Sequence, residues 1–181
     1  MAARHASELE LLRFDDEFEG DIRLNEPMAR HTTYRIGGPA HAYAQVNSIA
    51  ALATVLKVCA DEELSWFVSG KGSNLLVSDE GYPGVVIALA GEFRAWQFDE
   101  EEGTVVVGAG TMLSRLVQEA FHHGFSGMEF AVGTPGTVGG ALVQNAGTAR
   151  RRCGGRSAGK TCWCWAAPTT HCWRTCWARR R

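Results

Sequence analysis

An α+β fold is predicted for residues 25–147 of this 181-residue chain. Two segments carry apolar residues at helical spacing, and several short apolar segments have the composition of strands. These segments do not alternate as βαβα, which argues against a doubly wound nucleotide-binding sheet. Glycine-rich loops separate them. Residues 1–24 are interpreted as an N-terminal extension.

The first helix is predicted after a strand at residues 41–46, where apolar and polar residues alternate. Ser48 is the expected N-cap, and the helix should end near Asp61. Cys59 lies in this helix, and we expect a buried, reduced thiol there. The apolar face is predicted to consist of Ile49, Leu52, Ala53, Leu56 and Ala60.

Short strands and turns are predicted between this helix and residue 90. Residues 66–68 are expected to form a buried strand that leads into a loop at residues 70–74, and residues 75–77 are expected to resume the strand. Residues 81–84 have the composition of a turn, and residues 85–89 that of another strand.

A hairpin and a second helix are predicted in the following segment. Residues 93–98 and 104–107 flank an acidic turn and should pair. Thr111 is the expected N-cap of the helix, and Gly124 should close it. The apolar face is predicted to consist of Leu113, Leu116, Val117, Ala120 and Phe121. His122 and His123, which end this helix, are expected in solvent near the negative end of its dipole.

Composition changes abruptly at residue 148. Residues 1–147 hold all 20 acidic side chains and nine basic ones, whereas residues 148–181 hold nine basic residues, five of the six cysteines and four of the six tryptophans, without Asp, Glu or aliphatic Leu, Ile or Val. A segment without aliphatic side chains cannot extend a close-packed core. The overall net charge of −2 therefore averages two unlike segments.

Three interpretations of this tail stay open at this point. Cysteines and a histidine could bind zinc, although their spacing matches no standard zinc motif. The arginine runs at 150–152 and 179–181, with interleaved tryptophans, could contact nucleic acid. We favour the third, that residues 148–181 are translated out of frame and are disordered, with no metal site. The potential zinc ligands are Cys162, Cys164, His171, Cys172 and Cys176.

The predicted location is the cytoplasm. The first ten residues are charged and contain no apolar signal region, and no apolar run approaches the roughly 18 residues of a membrane span. We expect a monomer without membrane or nucleic-acid partners.

Two glycine-rich loops are the main functional signal, at residues 70–74 and 133–140. Glycines let backbone N–H groups approach a ligand closely, and successive N–H groups can form an anion-binding nest. Neither loop has the dinucleotide-binding or P-loop spacing, and each alone could be a tight turn. Together they predict a cofactor that carries two phosphates.

The order and spacing of several motifs resemble the UDP-N-acetylenolpyruvoylglucosamine reductase (UDP-N-acetylmuramate dehydrogenase) family from about residue 25 to residue 147. The resemblance implies an FAD-binding fold of the PCMH or vanillyl-alcohol-oxidase type. Its two lobes would be residues 25–90 and 91–147, the second incomplete. The motifs are Thr-Thr-Tyr-Arg-Ile-Gly-Gly at 32–38, Gly-Lys-Gly-Ser-Asn-Leu-Leu at 70–76, Gly-Val-Val-Ile at 84–87, Gly-Ala-Gly at 108–110, Gly-Met-Glu-Phe at 127–130, Gly-Thr-Pro-Gly-Thr-Val-Gly-Gly at 133–140 and Asn-Ala-Gly at 145–147.

The resemblance implies noncovalent FAD, with NADPH as hydride donor. Reduced flavin would convert a UDP-N-acetylglucosamine enolpyruvate to UDP-N-acetylmuramate in peptidoglycan precursor synthesis. The family's substrate-side Arg, Ser and Glu follow the Asn-Ala-Gly motif and have no match here, so we assign no catalytic residue and expect no turnover by this chain. The implied cofactor-binding residues are Gly70, Lys71, Gly72, Ser73, Asn74, Leu75, Gly133, Thr134, Pro135, Gly136, Thr137, Val138, Gly139, Gly140, Asn145 and Gly147.

Two alternatives to this interpretation remain. The chain could be a non-catalytic phosphate- or nucleotide-binding module with a basic nucleic-acid-binding tail. It could also be an oxidase of the same superfamily with covalent flavin, although neither glycine loop contains the histidine that such a link commonly uses. Within the reductase interpretation, Thr32, Thr33 and Arg35 are expected to shape a turn, and Lys71 to lie in solvent.

Overall fold

The computed structural model describes residues 9, 11–13, 15–148, 151–152, 162–165, 172–176 and 178–179. The chain divides into two compact units, Met1–Glu92 and Phe93–Arg181. In the described ranges, helices and strands are mixed without continuous βαβα alternation, as the α+β prediction requires. Within the described ranges, no helix is both long and apolar enough to cross a membrane.

The first unit is built on a four-stranded sheet with the order β1-β2-β4-β3. Its strands are β1 (Gly20–Pro27), β2 (Pro39–Val46), β3 (Trp66–Ser69) and β4 (Tyr82–Leu89), and helix α1 (Ile49–Asp61) joins β2 to β3. Strands β2, β4 and β3 are parallel, whereas β1 pairs antiparallel with β2. Strand β1 was not predicted.

Helix α1 begins where the sequence predicts, because the Ser48 hydroxyl accepts a hydrogen bond from the Ala51 N–H. Its predicted apolar face is wrong: Ile49 is 43% exposed. Apolar residues occur around most of this helix, so periodicity alone does not fix the side that packs. The residues that are buried instead are Ala51, Val55, Val58 and Cys59.

Three predictions around the first glycine loop need correction. Trp66 and Val68 are about half exposed, because β3 is the edge strand of its sheet. Residues 75–77 form no strand. The predicted turn at 81–84 is mostly the start of β4, which extends back to Tyr82. Leu75 and Val77 pack on the core without joining the ladder, which explains their strand-like composition.

The second unit contains the predicted hairpin, with β5 (Trp96–Asp99) antiparallel to β6 (Thr104–Gly108). Helix α2 (Leu113–His122), the two-residue strand β7 (Phe125–Ser126) and the short helix α3 (Val138–Val143) follow. Helix α3 was not predicted, since its sequence was assigned to a loop. These elements enclose a separate core that includes Val105, Val107, Leu113, Leu116, Phe125 and Val138.

Helix α2 confirms most of its predicted face, since Leu113, Leu116 and Ala120 are buried. Phe121 is 72% exposed, because it lies at the margin of the apolar stripe. The N-cap is Met112 rather than Thr111, and no side chain caps the helix. Gly124 closes the helix at a φ of +73°, as predicted.

The backbone after residue 146 forms short strands where it is described. Strand β8 (Gly147–Thr148) pairs with β9 (Arg151–Arg152), and β10 (Cys162–Trp165) pairs with β11 (Cys172–Cys176). Strand β11 also pairs with β6, and β12 (Ala178–Arg179) pairs with β7.

These strands differ from the disorder predicted for the same positions. Tryptophan and threonine favour strands, and the free edge of β6 offers them unpaired backbone groups. Much of residues 148–181, including the potential zinc ligand His171, lies outside the described residues. For the tail as a whole, disorder and the absence of a metal site stay predictions.

Cys59 provides a test of the first unit's packing. Its side chain is 1% exposed, and burial raises the pKa of the thiol above its ordinary value. The thiol ionises at lower pH in the unfolded chain, so its contribution to folding is complete below the unfolded pKa and is lost as pH rises toward the folded pKa. We therefore expect the free energy of unfolding to fall above about pH 8.5.

The measurement is iodoacetamide labelling of the tryptic peptide 58–71, in which Cys59 is the sole cysteine. The native chain should label far more slowly than the chain in denaturant. In addition, Cys59→Ala should reduce the alkaline loss of stability. Equal labelling rates in native and denatured protein would contradict the burial of this thiol.

Candidate functional site

The first glycine loop follows β3 and is fastened to the segment that precedes β2. The Gly72 carbonyl accepts a hydrogen bond of 3.1 Å from the Thr33 N–H, and the Ser78 carbonyl accepts one of 2.8 Å from the Gly38 N–H. Two backbone bonds, one near each end, thus hold residues 72–78 against residues 33–38.

Glycines lie where these two segments touch. A Cβ on Gly72, whose φ is +68°, would lie 1.9 Å from the His31 carbonyl oxygen. A Cβ on Gly38 would lie 2.1 Å from the Asp79 carbonyl oxygen, and one on Gly81 would lie 2.0 Å from that of Pro39. Gly72 therefore permits close packing of backbone on backbone, and its predicted role beside a ligand stays a prediction.

This loop also has unused hydrogen-bonding capacity. Among the described residues, no acceptor takes the backbone N–H groups of Lys71, Gly72 or Ser73. The Ser73 hydroxyl is buried and also lacks a partner there. Lys71 is exposed, as predicted, and adds a positive charge to the loop. Three successive N–H groups beside a hydroxyl and a cation suit an anion such as phosphate.

The remaining residues of the loop have other surroundings. Gly70 and Asn74 are exposed, and Asn74 makes an interaction within the chain. Leu75 packs against the core formed by Met28, Ala40, Tyr43 and Val86. Leu75 thus anchors the end of the loop by apolar contact.

The Thr-Thr-Tyr-Arg motif shapes a turn, as expected. The Thr32 hydroxyl donates a 2.9 Å hydrogen bond to the Ile36 carbonyl, and the Arg35 N–H donates to the Thr32 carbonyl. Arg35 adopts a φ of +56°, which is uncommon for a residue with a side chain. The turn presents Tyr34 and Ile36 to solvent, with exposures of 63% and 50%.

The second glycine loop is fastened within its own unit by the segment that precedes α2. The Leu113 N–H donates to the Gly136 carbonyl at 3.0 Å, and the Val138 N–H donates to the Thr111 carbonyl at 2.8 Å. The Gly139 N–H donates to Ala109 at 2.9 Å. A backbone ladder therefore also holds this loop.

This ladder narrows the predicted second anion-binding nest, which otherwise stays a prediction. The N–H groups of Val138 and Gly139 are used by backbone carbonyls, and that of Gly140 donates to the Thr137 hydroxyl, which caps α3. Thr134 likewise donates its N–H to Ala131. The amides of residues 138–140 are thus already bonded and are not available to a phosphate.

The start of the second loop is open. Gly133 has a φ of +80°, and a Cβ there would meet no atom within 4 Å. Val132 beside it is 66% exposed, and Pro135 is also exposed. This stretch therefore offers apolar surface and accessible backbone, which suit a flat ring better than a phosphate.

Asn145 and Gly147 follow helix α3. Asn145 has a φ of +47°, and its N–H donates to the Leu142 carbonyl at 3.1 Å. Asn145 is exposed and makes a further interaction within the chain. Gly147 begins β8. These residues thus close α3 and lead the chain into a strand.

The pair His122-His123 is exposed, as expected. The His123 ring stacks on Phe98 with centroids 4.3 Å apart, and its Nδ1 lies 3.1 Å from a Glu100 carboxylate oxygen. In the part of the chain that the structure describes, no group of three His, Cys, Asp or Glu side chains could hold a metal ion. Neither histidine lies in a glycine loop.

Comparison with known proteins assigns most of the chain to one protein family. Residues 40–162 match the protein family described as FAD binding domain. The chain is 46% identical over 128 residues to UDP-N-acetylenolpyruvoylglucosamine reductase 2 of Symbiobacterium thermophilum, a match that covers 71% of this chain and 41% of that protein. The chain thus spans about two fifths of the length of the curated relatives it matches.

Solved structures agree with this match. The crystal structure of the UDP-N-acetylenolpyruvylglucosamine reductase of Thermus caldophilus superposes with a TM-score of 0.60 at 42% identity, covering 74% of this chain and 45% of that one. The 6-hydroxy-D-nicotine oxidase of Arthrobacter nicotinovorans superposes with a TM-score of 0.58 at 20% identity, covering 76% and 30%. The second likeness concerns the fold alone. The predicted PCMH or vanillyl-alcohol-oxidase type of fold and the stated resemblance are thereby confirmed.

The two loops offer a matched pair of substitutions. Gly72→Ala and Gly133→Ala both place a side chain at positive φ, which costs about 1–2 kcal/mol. Only Gly72→Ala adds a clash with a backbone carbonyl. We expect Gly72→Ala to lower the free energy of unfolding by about 3 kcal/mol or more, and Gly133→Ala by the strain alone. Denaturant titration measures both, and equal losses would show that Gly72 is not in close contact with His31.

Proposed function

Since this chain belongs to the FAD binding domain family, we propose that it is the flavin-binding part of a UDP-N-acetylenolpyruvoylglucosamine reductase. The single observation that carries the proposal is the first glycine loop, in which the N–H groups of Lys71, Gly72 and Ser73 have no acceptor among the described residues. In the proposed role, the loop binds the FAD diphosphate.

The chemistry of this loop fits a diphosphate. A phosphate oxygen accepts hydrogen bonds from backbone N–H groups and from hydroxyls, and such charge-assisted bonds are stronger than neutral ones. The Ser73 hydroxyl needs a partner, because a buried polar group without one costs about 1–3 kcal/mol. Binding of FAD would supply acceptors for all of these donors at once.

The second loop would contribute contact area. The open backbone at Gly133 and the neighbouring apolar side chain of Val132 support a role along the flavin ring and ribityl chain. Glycine there lets a ring approach the backbone. The proposed site also includes the other residues predicted for this region, Thr134, Pro135, Gly136, Thr137, Val138, Gly139, Gly140, Asn145 and Gly147. Val138 is 0% exposed and would act through packing rather than through contact with the flavin.

The complete reaction is also a proposal. When bound, FAD supplies hydride transfer between NADPH and an enolpyruvyl substrate, and the protein's part is to bind and orient. We propose that the small-molecule substrate is a UDP-sugar enolpyruvate used for the synthesis of peptidoglycan precursors. The proposed location of the protein is the cytoplasm. The residues of this chain are assigned to flavin binding, and none is assigned to catalysis. A monomer stays a prediction.

The rival function, a non-catalytic nucleotide-binding module with a nucleic-acid-binding tail, is not favoured. The matching family is described as an FAD binding domain, and the two relatives of more than 40% identity are reductases by name. Binding of ADP as tightly as FAD would be the observation that favours the rival, because a nucleotide module has no use for the flavin ring.

The test is a titration of the flavin-free chain with FAD, followed by flavin fluorescence, in the unchanged chain and in Ser73→Ala. We expect the substitution to raise the Kd for FAD about tenfold, because it removes one hydrogen bond to a charged group. The Kd for riboflavin, which lacks phosphate, should not change.

Ser78→Ala is the matched control. Ser78 lies in the same connection, but its hydroxyl already accepts a hydrogen bond from the Glu80 N–H. The Kd of the Ser78→Ala variant for FAD should equal that of the unchanged chain. Failure of the unchanged chain to bind FAD would overturn the proposed function, whereas equal FAD affinity in Ser73→Ala would remove Ser73 from the site.

A further inference from the structure

A buried carboxylate, that of Glu26, lies beside His31, whose backbone carbonyl is in close contact with Gly72 of the first glycine loop. Glu26, near the end of β1, is 6% exposed. Its carboxylate lies 2.9 Å from His31 Nε2, 3.6 Å from Arg30 Nη1 and 3.7 Å from Arg23 Nη1. An ionised carboxylate only accepts hydrogen bonds, so His31 Nε2 is the donor. A buried charge with three partners is expensive to disturb.

The His31 ring is held on a second side. It stacks on the buried ring of Tyr43 in β2, with centroids 3.9 Å apart and an angle of 22° between the planes. Together, Glu26 and Tyr43 fix the side chain of His31 between two strands of the sheet. The ring is 19% exposed, so it faces mainly protein.

The backbone of the same residue supports the glycine loop. The position of a Cβ on Gly72 would be 1.9 Å from the His31 carbonyl oxygen and 3.0 Å from Thr32 Cα. Two residues after His31, the Thr33 N–H donates the bond to the Gly72 carbonyl. A shift of His31 would therefore move the surface on which Gly72 rests.

We infer that His31, fixed by Glu26 and Tyr43, is a positioning residue for the phosphate-binding loop. The effect on FAD affinity rests on the proposed function. The effect of His31 on the position of the loop does not, because it concerns the chain without ligand. The His31 backbone lies against Gly72, whereas the proposed donors are the N–H groups of Lys71, Gly72 and Ser73. Its effect on FAD is thus indirect, through the position of these donors.

The test compares His31→Ala with His31→Gln. Glutamine can place an N–H donor near the position of Nε2 and so keep the bond to Glu26, whereas alanine cannot. We expect His31→Ala to raise the Kd for FAD at least tenfold and His31→Gln to restore most of the affinity.

The second unit provides a matched control, His123→Ala. His123 also stacks on an aromatic ring, Phe98, at 4.3 Å and 22°, and also lies against a carboxylate, Glu100, at 3.1 Å. It supports neither glycine loop by a described contact. The loss of this similar cluster should leave the Kd for FAD unchanged.

Hydrogen exchange of the flavin-free chain separates the inference from the proposed function. The Thr33 amide should exchange at least tenfold faster in His31→Ala than in the unchanged chain, whereas the Ala90 amide, which donates to Val46 in the sheet, should not. If the unchanged chain binds no FAD, the proposed function fails and this measurement alone decides the inference.

Three results would overturn the inference. The first is an unchanged Thr33 exchange rate in His31→Ala. The second is equal acceleration of Thr33 and Ala90, which would indicate general destabilisation rather than a local shift. The third is an equal loss of FAD affinity in His31→Ala and His123→Ala.

Discussion

Backbone hydrogen bonds between each glycine loop and a second segment of the same unit are the interactions on which both loops depend. In the first unit, the bonds are those from Thr33 to Gly72 and from Gly38 to Ser78. In the second, residues 109–113 hold residues 136–139. Such bonds form only where backbones approach closely, and glycine permits that approach. The glycines therefore permit these backbone contacts whether or not a ligand is bound.

The loops differ in the hydrogen-bonding groups that remain for a ligand. The first keeps three successive N–H groups and the Ser73 hydroxyl without acceptors among the described residues. The second uses the N–H groups of residues 138–140 internally and presents open backbone at Gly133 instead. Phosphate needs donors and a flat ring needs contact area, so the first loop suits a diphosphate and the second suits a ring system.

Sequence reasoning succeeded where a local signal determines structure. Ser48 caps its helix, Gly124 closes the next one, and the order of the motifs predicts the family. It failed where tertiary packing decides: the buried side of α1, the exposure of Phe121 and the coil at residues 75–77 depend on neighbours that periodicity does not identify. Nor could it show that His31 lies against Gly72, since 41 positions separate them. The assigned ligand roles of the loop residues stay predictions.

Hydrogen exchange with and without FAD reports directly on whether FAD binds at the first glycine loop. We expect saturating FAD to slow exchange of the Lys71, Gly72 and Ser73 amides strongly, because they gain acceptors. The amides of Val138 and Gly139, which are already bonded, should change less. Tight FAD binding that leaves the amides of Lys71, Gly72 and Ser73 exchanging at their unliganded rate would contradict the account.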